Sequence, residues 1–357
     1  MYDMIIVGGG PAGSALARLT GKKYRVLILE KRKFHEESFF AEEKCCGGLI
    51  NPDAQKMLAK FNLAIPKKVL ISPQAFAVRT IDFDHGIERH YRKEYVNIDR
   101  SSFDKWLSEL AQERAELRIG CLFKGFEKEA DQIIVKFHCG GKEYREKTKL
   151  LVSAEGANSL IRARAYPNRP FPKKYVAIQE WYDTSPCLDS YGAMFDSEVT
   201  DFYSWTIPEE NTLLLGAALI PNSGVGKKFS ILKEKMNKLG FQLGEPLRRN
   251  GAFINRPIHL SQICTGEGNI LLIGEAAGFI SPSSAEGFSY AFRSAEELAE
   301  AMEEGVEAAG RRYEKNCISL RLNILLKNLK SPAMYRPWMR KIAMQSGFMS
   351  LKLSEGR

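Results

Sequence analysis

The residues with the clearest chemical reason to stand together are Gly8-Gly9-Gly10-Pro11-Ala12-Gly13. They spell G-x-G-x-x-G between an apolar run, Met4-Ile5-Ile6-Val7, and a helical stretch that opens at Pro11. Gly8 permits a tight turn. Gly10 removes a side chain where a pyrophosphate would approach the backbone. Gly13 lets helix and strand pack closely. Pro11 and Ala12 begin the helix, whose free N–H groups and positive dipole end suit phosphate oxygens. Glu30 closes the next apolar strand, 22 residues after Gly8, with Lys31 beside it. A carboxylate there can accept from ribose hydroxyls. The predicted chemistry is dinucleotide binding, and this fingerprint by itself does not separate a nicotinamide from a flavin.

Two further segments point to FAD. Asp99-Arg100-Ser101-Ser102-Phe103-Asp104 places a cation, Arg100, at the start of a helix. Ile270-Leu271-Leu272-Ile273 leads into Gly274-Glu275-Ala276-Ala277-Gly278, a turn of small residues through which a backbone can approach a ligand. Ser284-Ala285-Glu286-Gly287-Phe288 then opens a long helix, expected from Ser284. Its N-terminus would offer N–H groups to an anionic acceptor such as a reduced flavin edge.

On these residues the chain resembles the flavoproteins shared by aromatic hydroxylases, flavin-dependent halogenases and geranylgeranyl reductases. Their second motif looks like Ala154-Glu155-Gly156-Ala157-Asn158-Ser159-Leu160-Ile161-Arg162, and their third like Gly274-Glu275. Both expected aspartates are glutamates here. Lys44-Cys45-Cys46-Gly47-Gly48-Leu49 looks like the C-G-G loop of the geranylgeranyl reductase family. Tyr203-Ser204-Trp205-Thr206-Ile207-Pro208 resembles that family's Y-x-W-x-F-P motif, with Ile for Phe. The wider Lys-Cys-Cys-Gly-Gly-Leu run is similar to a colicin M resistance protein-like branch. The resemblance implies FAD held by Gly8, Gly10, Ala12, Gly13, Glu30, Lys31, Gly47, Arg100, Glu275 and Gly287. It puts Cys46 near the flavin ring and Tyr203 and Trp205 on an apolar substrate wall. The implied reaction is reduction of C=C bonds in an isoprenoid or other apolar, lipid-like substrate. Hydride would come from the flavin and a proton from Cys46, Tyr203 or Glu286. The electron donor would be NAD(P)H, bound transiently, or a ferredoxin-like protein.

Other readings stand beside these. Tyr203 and Trp205 alternate in a strand and could be core. Cys46 could be a small buried hydrophobe. Glu286 could only cap its helix. Halogenases carry a similar W-x-W-x-I-P motif, so a flavin monooxygenase or halogenase is the first alternative. A flavin-binding adaptor without turnover, acting at a membrane or partner, is the second. A disulfide between adjacent Cys45 and Cys46 is a minor possibility. The five His are scattered and no C-x-x-C occurs, so no metal site is predicted.

These residues need elements to position them. The opening reads β-α-β. Asn51 to Phe61 reads as a capped helix, Ser101 to Glu113 as another, and Leu117 to Leu151 as strands turning at Gly140-Gly141. Residues 69–96 and 173–255 are β-rich. The expected class is α/β, a Rossmann-type FAD-binding domain with the layout of aromatic hydroxylases. That domain would be discontinuous, over 1–68, 97–172 and 256–309. Residues 69–96 and 173–255 would form an inserted β-rich substrate domain, and 310–357 a basic helical segment.

Composition bounds the rest. The chain has 357 residues, 44% apolar and 27% charged, with seven Cys, which excludes a disordered chain and a secreted disulfide scaffold. No apolar run approaches the roughly 20 residues that span a bilayer. A strand that starts at Met4 leaves no room for a signal peptide, so a cytoplasmic location is expected. The net charge of +9 is localised: residues 310–357 hold eleven Lys+Arg and two Asp+Glu, while the first 309 hold 41 of each. The protein reads as a neutral body with a basic appendage. That appendage either packs on the body or contacts a membrane peripherally, at the inner face; no stacking platform supports nucleic-acid binding.

Overall fold

The computed structural model describes residues 1–34, 46–183 and 190–353. Lys44 and Cys45, and with them the Cys45–Cys46 pairing, lie outside the described residues. The first sheet is built on Tyr2–Val7, with Val26–Leu29 parallel on one side and Lys142–Ser153 parallel on the other. These strands are apolar and almost wholly buried near the sheet centre, as parallel strands covered on both faces must be. The Pro11–Thr20 helix makes the crossover between the first two. Glu116–Arg118 extends the sheet beyond Val26–Leu29, and Ile270–Leu272 extends it beyond Lys142–Ser153.

Lys142–Ser153 serves two pairings. Its first half is antiparallel to Gln132–Cys139, and its second half runs parallel to Tyr2–Val7. The switch falls at Thr148, where exposed charged residues give way to a buried Leu-Leu-Val-Ser run. Cys121 and Cys139 are in register across neighbouring antiparallel strands and form a disulfide, a pairing the sequence reading did not make.

The second sheet runs in the order Arg248–Arg256, Lys173–Asp183, Thr212–Leu219, Ser204–Glu209, Tyr191–Phe195, Ala77–Asp82, Ile87–Arg92 and Ser350–Leu351. Its pairings are antiparallel except between Tyr191–Phe195 and Ala77–Asp82. Phe229, Leu232 and Met236 of the Val225–Lys238 helix close one face.

Two elements differ from expectation. Residues 69–76 are not strand: Lys67–Val69 is a 3-10 turn, and Pro73 brings no N–H to a ladder. The long helix begins at Phe288, not Ser284. Ser281 N donates to Glu286 O and Ala285 N to Ser281 O, closing a compact turn that postpones the helix.

Residues 309–351 form helices Ala309–Asn316, Ile318–Lys330, Pro332–Tyr335 and Pro337–Gln345, then the edge strand of the second sheet. Tyr313, Cys317, Leu320 and Ile324 join the core of the first sheet. Tyr313 OH donates to Leu272 O at 3.0 Å. Arg340, itself buried, pairs with Asp82 and Asp84 beside the second sheet. Among the described residues no helix is long and apolar enough to cross a membrane.

Candidate active site

The glycine turn is anchored by its own acid. Gly9 N donates to Glu30 Oε2 at 2.7 Å, and Ser14 Oγ and Ser108 Oγ both donate to Gly9 O. Close approach explains Gly13: a Cβ there would lie 2.0 Å from Gly8 O and 3.2 Å from Ala154 Cβ. Gly13→Val is therefore expected to destabilise the fold by about 3 kcal/mol. A urea midpoint within error of wild type would refute that. Ala12 packs on Gly274, whose added Cβ would lie 3.1 Å from Ala12 Cβ, so the first and third motifs touch.

Glu30 is also held by a neighbouring cation. Its Oε1 accepts from Arg32 N and Nε, and its Oε2 accepts from Arg32 Nη2 as well as Gly9 N. Lys31 is exposed, and Arg32 is the cation that enters the network. Arg32 Nη1 reaches Asp104 Oδ2 at 2.6 Å, and Arg100 Nε reaches Asp104 Oδ1 at 2.8 Å. Burial alone would raise the Asp104 carboxyl, but Arg100 and Arg32 hold it below the usual carboxylate range. Burial likewise disfavours the Arg100 charge, and Asp104 more than restores it. Arg100 also lies within hydrogen-bonding reach of the Cys46 thiol and over the Phe288 ring. Arg32 and Asp104 were not singled out from sequence, although Arg100 and Asp104 stand at the i,i+4 spacing of a helical ion pair.

The Cys46 loop packs against the Ser204–Glu209 strand. A Cβ on Gly47 would lie 2.4 Å from Ile207 Cδ1 and 3.8 Å from Trp205 Nε1. A side chain at 47 would require Ile207 to shift its terminal methyl. Trp205 is buried flat on Gly216, whose added Cβ would meet the indole at 2.3 Å. Its Nε1 is buried with no hydrogen-bond partner among the described residues. Tyr203 stacks at a tilt on Trp205 with ring centroids 5.4 Å apart, and its OH donates to Ser284 O at 2.7 Å. Burial raises the Tyr203 phenol, and the Tyr95 and Cys46 groups beside it add to the effect. Tyr95, raised by burial and then by Glu286, is a fourth titratable group here that sequence reasoning missed. A lone tyrosine before a short strand carries no local signal.

Glu286 sits in the turn before the Phe288–Ala301 helix. Its carboxylate accepts from Ser289 N and Ser289 Oγ, both at 2.7 Å, so it does cap the Phe288–Ala301 helix. Burial raises its pKa, while Ser289 and then Lys327 pull it back only in part. The sign for stability follows. The folded carboxyl holds its proton above the ordinary 4.5, so stability falls as pH rises from 4.5 through the folded value. Glu286→Gln is expected to match wild type below that window and to melt at a higher temperature above it. Melting curves from pH 4 to 8 check this, and a variant that is less stable throughout would refute it. Gly287 is the N-cap residue of that helix.

The second motif is structural. Glu155 accepts from Ser153 Oγ, Ser159 Oγ, Leu160 N and Ile161 N. Arg162, 1% exposed, donates to Ala276 O, Pro170 O and Gln262 O. Glu275 Oε1 accepts from Asn255 N at 2.9 Å, so the third motif is tied to the second sheet. The structure thus brings Cys46, Tyr95, Arg100, Tyr203, Trp205 and Glu286 to one place. Gly8, Gly10, Gly13, Glu30 and Arg32 lie at the adjoining glycine turn, and Lys31 stands apart. Among the described residues no cluster of His, Cys, Asp and Glu could hold a metal ion.

Comparison with known proteins adds the relatives. Protein CbrA of Escherichia coli O6:H1 is 38% identical over 346 residues, which cover 97% of this chain and 93% of CbrA. A geranylgeranyl bacteriochlorophyll reductase-like protein of Thermoplasma acidophilum superposes with a TM-score of 0.79 at 19% identity, over 96% of this chain and 87% of the other. A triple mutant of the flavin-dependent brominase Bmp2 gives 0.69 at 20% identity, over 97% and 94%. No protein-family model matches. At these identities the solved structures establish the fold, an α/β Rossmann-type architecture of the kind on which flavin-dependent enzymes are built.

Proposed function

We propose, from the premise that this chain belongs to the family of the Escherichia coli protein CbrA, that it is an FAD-dependent oxidoreductase. Its reaction would be reduction of C=C bonds in an isoprenoid or other apolar substrate. The residues present fit FAD. Gly10 has open space where a side chain would begin, directly at the N-terminus of the Pro11–Thr20 helix. Glu30 can exchange a guanidinium partner for a ribose. When bound, the flavin supplies the hydride.

The observation that carries the reading is the convergence of Cys46, Tyr95, Tyr203 and Glu286 beside buried Trp205. Saturating a C=C bond needs a proton on the carbon that does not receive hydride. Glu286 is the group we assign to hold it, because burial keeps its carboxyl protonated above the ordinary range. Cys46, held by Arg100, and Tyr203 orient the acceptor carbon over the apolar Trp205 wall. Excluding oxygen from the site matters equally, since it would accept the electrons meant for the substrate. Turnover needs an electron donor, for which we propose NAD(P)H or a ferredoxin-like protein.

The test is anaerobic reduction of the purified protein followed by mass spectrometry of an added panel of prenyl lipids. The expected result is a gain of two hydrogens per bond reduced. Glu286→Gln should lower that rate about 100-fold while leaving bound FAD unchanged. A colourless protein that takes up no FAD would refute the cofactor. The Trp205-Thr206-Ile207-Pro208 segment and the likeness to the brominase favour a second reading, a flavin monooxygenase or halogenase. Oxygen-dependent hydroxylation or halogenation of a substrate would establish it and remove the first.

A further inference from the structure

We infer that the outer face of the Ile318–Lys330 helix, with the basic groove at its start, docks this protein on an anionic phospholipid surface. The inference is independent of the reaction proposed above. The helix is apolar on two sides. Leu320 and Ile324 are fully buried against the first sheet. Ile318, Leu322, Leu325, Leu326 and Leu329 recur at helical spacing on the opposite side, and all are exposed, Leu329 by 70% and Ile318 by 63%. A helix that packs by one stripe ordinarily keeps its other side polar.

The second observation is electrostatic. A groove of about 640 Å³ between this helix and Ala309–Asn316 is lined by Arg311, Arg312, Lys315 and Arg321, with Glu314 as its one carboxylate. Ile318 is both a wall of the groove and the first residue of the apolar stripe. Arg312 is engaged by Glu304, and Arg321 reaches Thr265 and Glu314. Arg311 and Lys315 make no ion pair among the described residues. A cationic groove opening onto a leucine stripe matches a lipid phosphate above an acyl boundary.

Charge also selects the occupant. No Asp or Glu occurs between Glu314 and Glu355. Two copies meeting through this face would therefore oppose like charges, with Glu304 and Glu314 each already paired to a cation of its own copy. A second exposed pair, Trp338 and Ile342, follows on the Pro337–Gln345 helix at i,i+4 spacing, 59% and 61% exposed. Tryptophan beside cations is the composition of a membrane–water interface. The docking helix also carries Lys327, whose Nζ lies 4.9 Å from the Tyr290 ring centroid and which acts on Glu286. Docking would hold the candidate active site about one helix diameter, roughly 10 Å, from the lipid.

The experiment is flotation of the purified full-length protein with vesicles of phosphatidylcholine, alone or mixed with phosphatidylglycerol. Binding is expected to the mixed vesicles and to fall about tenfold in high salt or on phosphatidylcholine alone. Leu326→Glu with Leu329→Glu should lose about tenfold or more in binding, with an unchanged melting temperature because both side chains face solvent. Arg311→Glu with Lys315→Glu should abolish the preference for phosphatidylglycerol while leaving the residual binding to phosphatidylcholine. Equal affinity for both vesicles, or no binding by folded wild type, would overturn the inference. So would a dimer in solution that the leucine variant dissociates, since the face would then belong to a second copy.

Discussion

Asp104→Ala is expected to cost about 3–5 kcal/mol of folding stability, because it strands the buried Arg100 guanidinium and takes one of two carboxylates from Arg32. Asp104 is fully buried. Its carboxylate takes Arg32 Nη1 at 2.6 Å and Arg100 Nε at 2.8 Å, and those side chains are only 13% and 10% exposed. Glu30 still compensates Arg32 in the variant. Among the described residues Arg100 keeps the Cys46 side chain and the Phe288 ring, and no carboxylate. The pH dependence is fixed in sign. The folded pKa lies below the ordinary 3.8, so the wild-type advantage is present above that value and is lost as pH falls toward the folded pKa. The deficit of the variant should therefore be full at neutrality and shrink in acid. Urea denaturation at both pH values measures it. Asp104→Leu combined with Arg100→Leu should recover more than half the loss, since a removed pair costs less than a broken one. A single-variant loss below about 1 kcal/mol would show that water reaches the pair.

Arg162→Met is expected to cost about 3 kcal/mol. Its guanidinium bridges three carbonyls from separate turns: Gln262 O at 2.7 Å, Pro170 O at 2.9 Å and Ala276 O at 3.0 Å. Burial of an arginine opposes this, and it pushes the Arg162 pKa down. Three charge-assisted bonds outweigh that cost, because methionine would leave the buried Gln262 and Ala276 carbonyls without donors. Methionine keeps the apolar stem and most of the volume, so the change isolates the hydrogen bonds. Amide exchange should quicken over residues 260–278, where the small-residue turn of the third motif sits. Arg162→Lys should restore less than half the loss, since an ammonium cannot span three diverging carbonyls. Unchanged exchange in that segment would show that the turn holds itself.

Both residues show what local pattern could and could not reveal. The β-α-β opening, the Asn51 cap and the hairpin at Gly140-Gly141 are legible because each is set by neighbours a few residues apart. Asn51 accepts from Ala54 N, and the 132–139 and 142–153 strands pair directly across that turn. Arg162 was legible as a motif residue, but its work as a clamp on two distant turns was not. The start of the Phe288–Ala301 helix was misplaced by four residues, because a turn closed by Ser281 and Glu286 backbone groups leaves no periodic trace. Tyr95 and the Arg32 partner of Asp104 escaped for the same reason: these contacts are defined by folding, not by spacing, whereas Arg100 at i,i+4 from Asp104 carried a local signal.

By itself the sequence determined the Rossmann-type turn, its acid, the charge confined to the last 48 residues, and the motif residues Cys46, Arg100, Tyr203, Trp205 and Glu286. Those features are written in short-range periodicity and residue type. Only the tertiary structure decided that these five residues meet with Tyr95, that Arg32 links Glu30 to Asp104, and that Glu286 is both cap and buried acid. It also decided which leucines of the basic tail are covered and which face outward. A helix with apolar residues around its circumference offers two faces of nearly equal hydrophobicity. Which one is buried depends on the shape it packs against, and that shape is assembled from strands hundreds of residues away.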